Sequence, residues 1–231
     1  MIEFEERGAI AFIRFNNGRL NVYSRELHRR LYGHLLSFLR ADHLKVAVMT
    51  SAEGTSFSAG DDLKTVNDDY GTEPDWAELV LTLPRDKAIV AAVSGYCLGQ
   101  GLVYLLSLTD IRYASPDAQF GFPEIKYGMG GAGAITRLRQ LIPPTVAMHM
   151  VLTGEFMSAA DAANCHLVNA VVPAGGLLEQ AVLTAEKIAA HPLAALRMEM
   201  SPLARTANLS QEEALAYCSS LSQSQASDKG Q

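Results

Sequence analysis

Cysteine is scarce and scattered. Cys97, Cys165 and Cys218 form no C-x-x-C pair, which excludes a disulfide framework and a zinc knuckle. The histidines His28, His34, His43, His149, His166 and His191 show no metal-ligand spacing either, so no metal is expected. Basic charge is in deficit: 19 Lys and Arg against 25 Asp and Glu leave a formal net charge of −6. A chain of that balance lacks the dense basic surface that phosphate neutralisation requires, so nucleic acid is not an expected partner. Glu3, Glu5 and Glu6 precede any apolar run, the wrong charge for a secretory or organellar leader, and a reducing cytoplasm is the expected compartment. An unbroken membrane-length run is also missing. Residues 88–108 carry no charge, but Gly95, Gly99, Gln100 and Gly101 interrupt them short of the ~20 residues a bilayer helix needs. A buried β-branched strand at 89–93, a tight turn and a buried helix at 101–108 account for this run, and no membrane partner is expected.

What is present is ordinary globular composition. With 48% apolar and 19% charged residues, 231 residues suffice for one sizeable core plus an appendage. Residues 10–15 alternate as a strand, and Asn16-Asn17-Gly18 supply a turn. Leu27, Leu31, Leu35, Phe38 and Leu39 then share one helical face, with Ser24 as N-cap. Residues 46–50 read as a buried strand entering a glycine-containing turn. The polar stretch 65–84 reads as a lid or loop with one short helix over 76–83. Strand, turn and helix recur from Ile89, and 111–114 form another strand. Helices follow over 134–141, 145–152, 158–164, 177–190, 193–205 and 211–221, punctuated by Pro143-Pro144, Thr153-Gly154, Gly175-Gly176 and His191-Pro192. Residues 222–231, small and polar, are expected to fray.

Two stretches, Phe57-Ser58-Ala59-Gly60-Asp61-Asp62-Leu63-Lys64 and Gly95-Tyr96-Cys97-Leu98-Gly99-Gln100-Gly101, each join small residues to an expected helix start. Backbone N–H groups at such a start have no intrahelical acceptor, so two facing turns can hold a developing negative oxygen. A third segment, Phe120-Gly121-Phe122-Pro123-Glu124, offers a carboxylate that can move a proton. Singly, either glycine turn is explained by ordinary turn chemistry; together, with Glu124 following, they read as a site.

These segments, with Phe15-Asn16-Asn17-Gly18-Arg19-Leu20-Asn21, Ala91–Val93, Asp110–Ala114 and Leu167-Val168-Asn169-Ala170-Val171-Val172-Pro173, resemble the crotonase superfamily, the enoyl-CoA hydratase/isomerase family, over most of the chain. The resemblance implies an α/β fold, a crotonase (ClpP/crotonase-like) spiral of repeated ββα units with C-terminal helices. It divides into a core with the active site over 1–175 and a shortened helical oligomerisation segment over 176–231. It implies an acyl-CoA substrate, coenzyme A entering as part of that substrate and no tightly bound cofactor, a lyase or isomerase of fatty acid metabolism, and a homotrimer or a hexamer of paired trimers.

By position, the resemblance makes the backbone N–H groups of Asp61 and Gln100 the oxyanion donors and Glu124 the residue that moves the proton beside the thioester. Removing one such donor costs about 3–4 kcal/mol of transition-state stabilisation. Arg19 and Lys64 stand where cations meet CoA, Leu20 and Leu63 along the pantetheine path, and Ala59 where backbone meets adenine; surface solvation remains open for both cations. Hydratases of the family carry a second glutamate at the place of Val103, and valine accepts no proton. Unless Asp61, Asp68 or Tyr70 substitutes, one-glutamate, isomerase-type chemistry is therefore expected, one base removing a proton and returning it elsewhere. A weakly active or inactive CoA-binding subunit, a decarboxylase and a thioesterase are the alternatives. Asp61 is an unusual acid beside an oxyanion site, and Asp62 reads as a brace for the turn.

Two motifs mislead. Gly128-Met129-Gly130-Gly131-Ala132-Gly133 spells G-x-G-x-x-G but follows no apolar strand. Gly54-Thr55-Ser56-Phe57-Ser58 lacks the final glycine of a nucleophile elbow.

Overall fold

A computed structural model describes residues 1–65, 71–130, 138–206 and 209–228. The main sheet runs β1 (Ile2–Arg7), β2 (Ile10–Phe15), β3 (Val46–Ser51), β4 (Ala88–Val93), β6 (Ile111–Ala114), β9 (Ala170–Val171). Only the β1–β2 pair is antiparallel; the other pairs are parallel. Every residue of β3 and β4 is buried, as expected of central parallel strands covered on both faces. A smaller sheet orders β5 (Tyr96–Leu98), β7 (Gln119–Gly121) and β8 (Met157–Ser158).

Helix α1 (Arg25–Arg40) buries Leu27, His28, Leu31, Leu35 and Phe38. Ser24 sits at its N-cap without a side-chain capping bond. At the other end the fully buried Lys87 ammonium donates to the carbonyls of Phe38 and Ala41 at 3.0 and 2.7 Å, which satisfies orphan acceptors of the last turn. Helix α2 (Trp76–Thr82) is capped by Asp75, and α3 (Gln100–Leu108) is buried along nearly its whole length. The remaining helices are α4 (Leu138–Leu141), α5 (Pro144–Thr153), α6 (Ala159–Asn164), α7 (Ala174–Ala189), α8 (Leu193–Arg205) and α9 (Gln211–Asp228). No helix among the described residues is long and apolar enough to cross a membrane.

Several expectations need correction. The acidic N-terminal segment, which carried no structural expectation, is an edge strand, β1, and its exposed Glu5 and Glu6 suit an unpaired edge. Gly175-Gly176 do not end anything: they lie in the first turn of α7, where backbone N–H groups lack helical acceptors and glycine disrupts little. The boundary drawn at 175/176 falls inside that turn, and Leu177, Ala181 and Ala185 of α7 pack on the sheet face formed by Ile10, Phe12, Val46, Val48, Val90 and Ala92. Residues 222–228 continue α9 rather than fray. The first glycine turn runs into a turn at 63–65 and begins no helix among the described residues.

Candidate active site

The small sheet brings the three segments side by side. Ser58 bridges Cys97 in parallel, and β5 pairs with β7 in parallel, with Leu98 opposite Gly121. The residues that follow, Gly60-Asp61, Gly99-Gln100 and Pro123-Glu124, therefore leave neighbouring parallel segments at the same end, where sheet folds place ligands.

The approach is too close for side chains at the glycines. Gly60 has φ +95°, and a Cβ there would lie 3.0 Å from Leu98 O and 3.3 Å from Gln100 N. Gly99 has φ +51°, and a Cβ there would lie 2.7 Å from Glu124 Oε1 and 3.8 Å from Gly60 Cα. Both turns and the carboxylate thus meet at one point.

Among the described residues, neither the Asp61 nor the Gln100 amide has a backbone partner. Tyr23 N–H donates to Gly60 O and Asp62 N–H to Tyr23 O, each at 2.8 Å, so the Asp61 N–H between them faces away from Tyr23. Gln100 is the first residue of α3, and the carbonyl four residues back, Tyr96 O, already accepts from Ser58 N–H at 2.9 Å.

Surrounding bonds hold the first turn rigid. Buried Ser58 donates through Oγ to Asn21 O at 2.8 Å and accepts from Gly60 N–H at 3.1 Å. Buried Asn21 donates to Ser56 O at 2.7 Å and to Thr55 Oγ1 at 3.1 Å, and accepts from Asn17 N–H at 2.6 Å. Asp62 Oδ1 accepts from Lys64 N–H at 3.1 Å, the expected brace.

Glu124 is half-buried at the start of a short 3-10 turn, Pro123–Tyr127, and its Oε2 accepts no hydrogen bond among the described residues. Burial pushes its carboxyl above the ordinary carboxylate range; its own backbone N–H opposes that, and Asp61 adds to it. Val103, where a second glutamate was looked for, is a buried core residue.

Arg19-Leu20 run beside the first turn: Ser56 N–H donates to Arg19 O and Ala59 N–H to Leu20 O, each at 2.8 Å. Arg19 and Lys64 are exposed, as are Leu20 and Leu63, so this rim presents both charge and apolar surface to solvent. Asp68 and Tyr70 lie outside the described residues, as do positions 131–133 of the glycine-rich stretch.

Sequence reasoning missed a buried polar cluster behind the first donor. His28 Nδ1 lies 2.6 Å from Tyr104 OH, and His28 Nε2 lies 3.2 Å from Asp61 Oδ1. Tyr23 stacks on His28, ring centroids 5.2 Å apart, and meets Tyr104 edge-on at 5.1 Å. Burial raises the pKa of both phenols. A cleft of about 160 Å³ opens here, with Tyr23, His28, Asp61, Asp75 and Trp76 among its walls. Hollows of about 590 and 650 Å³ lie elsewhere, and none of Asp61, Gln100 and Glu124 lines them. The sequence signal was a histidine on the apolar stripe of α1 together with a tyrosine one turn beyond Gln100.

Paired turns with unpartnered amides, set beside a carboxylate on a ββα spiral, define a crotonase-type protein. The family described as enoyl-CoA hydratase/isomerase matches residues 5–230. A probable enoyl-CoA hydratase of Rhizobium meliloti is 34% identical over 92% of this chain and 84% of its own length. A carnitinyl-CoA dehydratase of Shigella flexneri is 29% identical over 94% and 85%. The crystal structure of an enoyl-CoA hydratase from Bacillus anthracis superposes with a TM-score of 0.88 at 26% identity, covering 96% of this chain and 89% of that one. The chain belongs to the enoyl-CoA hydratase/isomerase family and has the crotonase fold.

Proposed function

We infer that this protein binds an acyl-CoA thioester, stabilises the enolate oxygen between the backbone N–H groups of Asp61 and Gln100, and takes the α-proton with Glu124. A thioester makes its α-carbon acidic, but the enolate is too high in energy to accumulate in water, so fixed donors at its oxygen supply most of what catalysis requires. The observation that carries this reading is the meeting of Gly60, Gly99 and Glu124, with Glu124 Oε1 2.7 Å from where a Gly99 Cβ would stand. A half-buried carboxyl whose pKa is raised by burial is a stronger base once ionised, which suits removal of an α-proton.

Double-bond isomerisation is favoured over two-glutamate hydration because Val103 supplies no second glutamate. Coenzyme A enters as part of the substrate, with Arg19 and Lys64 meeting phosphate or pantetheine oxygens, Leu20 and Leu63 along the pantetheine and Ala59 at the adenine. Assembly into trimers through the late helices is supported by the exposed Leu178, Leu183 and Leu215.

The test is exchange of the α-proton of a saturated acyl-CoA in D2O, which needs only the donors and one base. Exchange in the native protein that is lost in Glu124→Gln is expected. No exchange in either form contradicts the reading and favours an inactive CoA-binding subunit. Product identification with 3-enoyl, 2-enoyl and malonyl-type CoA esters then separates isomerisation from hydration and decarboxylation.

A further inference from the structure

We propose that His28 is a positioning residue for the first oxyanion donor, holding the Asp61 carboxyl through Nε2 on the side of α1, clear of the oxygen that the Asp61 amide binds. Tyr104 sets the imidazole for that task. The proposal rests on the enolate reading above and explains how a donor turn can carry an acid.

The problem is local to residue 61. Its carboxyl is only a few bonds from its own amide nitrogen, so χ1 rotation alone can bring it within roughly 4 Å of an oxygen bound at that N–H. A carboxylate at that distance in a partly buried site repels an enolate oxygen and cancels much of what the donor supplies. Backbone bonds do not prevent this. Gly60 O and Asp62 N–H fix the peptide against Tyr23 at 2.8 Å each, but they leave χ1 of Asp61 unrestrained.

The side chain is held by a different group. Asp61 Oδ1 lies 3.2 Å from His28 Nε2, and no directed hydrogen bond reaches that oxygen among the described residues. The His28 contact is therefore what restrains it. Held there, Asp61 borders the cleft walled by Tyr23, His28 and Trp76, which neither Gln100 nor Glu124 lines. His28 itself stands on the buried face of α1, where an apolar side chain would serve packing alone.

Two neighbours fix the imidazole. Nε2 faces a carboxyl oxygen, an acceptor, so Nε2 carries the ring proton. Nδ1 is then an acceptor, and the Tyr104 O–H, kept protonated by burial, donates to it at 2.6 Å. The Tyr23 ring stacks on the imidazole at 5.2 Å and limits its rotation. Tyr23 also supplies the backbone partners of Gly60 and Asp62, so one residue braces both the donor turn and the ring that holds its side chain.

The experiment is a double-mutant cycle read by α-proton exchange of a saturated acyl-CoA in D2O, with native protein, His28→Asn, Asp61→Asn and the double variant. His28→Asn withdraws the donor from Asp61 but leaves an amide oxygen for the Tyr104 hydroxyl. Asp61→Asn keeps the backbone N–H and removes the charge. His28→Asn is expected to lower kcat for exchange at least about tenfold with KM unchanged when Asp61 is present, and by less than about twofold in the Asp61→Asn background. A loss of equal factor in both backgrounds, or none when Asp61 is present, overturns the proposal. Asp61→Asn protein without any exchange also overturns it, because the side chain would then do more than be held aside. Should His28→Asn not fold, Tyr104→Phe, which keeps the ring, replaces it in the same cycle with the same expected and contrary outcomes. Native protein that exchanges without this coupling loses the positioning role alone. Native protein without exchange marks failure of the enolate reading itself, and the proposal falls with it.

Discussion

Glu124 is held where its function conflicts with its stability. Its pKa is raised, chiefly by burial, so the folded chain binds that proton more tightly than the unfolded chain does. The stability this provides is present below the unfolded carboxyl's pKa and is lost as pH rises through the folded value, leaving a penalty at neutral pH. Glu124→Gln is therefore expected to raise the urea midpoint at pH 7, with the gain vanishing in acid, while abolishing α-exchange. An unchanged midpoint at both pH values would contradict this. Gly99 shows the opposite balance. With φ +51° and Glu124 Oε1 2.7 Å from the Cβ position, Gly99→Ala should cost roughly 1–3 kcal/mol in denaturant unfolding and lower exchange activity as well. Charge reversal of the exposed Arg19 should weaken CoA binding by calorimetry, most clearly at low salt, without moving the thermal midpoint. At this scale the sequence was informative where glycines mark a close approach: the turns at Gly60 and Gly99 meet beside Glu124 in the structure, while the roles of Asp61, Gln100 and Glu124 belong to the proposal above. His28 was not legible, because its meaning depends on Tyr104, 76 positions away and on another helix.

Elements place these residues through register. Parallel pairing of Ser58 with Cys97 and of Leu98 with Gly121 lines up three chain segments so that their following residues converge. The first of these segments belongs to no long strand and depends on side chains for its shape. Asn21, buried and in the left-handed region at φ 46°, ties it to the loop before α1. Asn21→Ala leaves buried backbone groups unpaired, at about 1–3 kcal/mol. It should also raise KM for acyl-CoA, because Ser58 and the Gly60 turn lose their support. Native stability and KM in this variant would show that the turn holds its shape without Asn21. The long elements were legible because α1 sustains a helical hydrophobic period and β3, β4 and α3 carry unbroken apolar runs bounded by turn residues. Strands such as β5, β7, β8 and β9 are two or three residues long, too short to carry a period, yet two of them set the site.

Across the whole molecule, α7 links the late helices to the sheet. Leu177, Ala181 and Ala185 cover the face opposite the larger core, where Val46, Val48 and Val90 are fully buried. Truncation after Gly175 is therefore expected to give a chain that lacks cooperative thermal unfolding; a sharp transition in that fragment would show that residues 1–175 stand alone. The change from mixed strands and helices to mainly helices was readable from the periodicity, but the burial of α7 was not, since a helix of alternating small and apolar residues looks the same on a sheet as on a partner subunit. The central claim concerns one atom, the thioester oxygen, and a crystal structure with a saturated acyl-CoA bound measures it directly. The oxygen should lie about 2.7–3.1 Å from both Asp61 N and Gln100 N, with Cα turned toward Glu124. An acyl group bound with its oxygen in solvent, or held by side chains away from those two amides, would contradict the account.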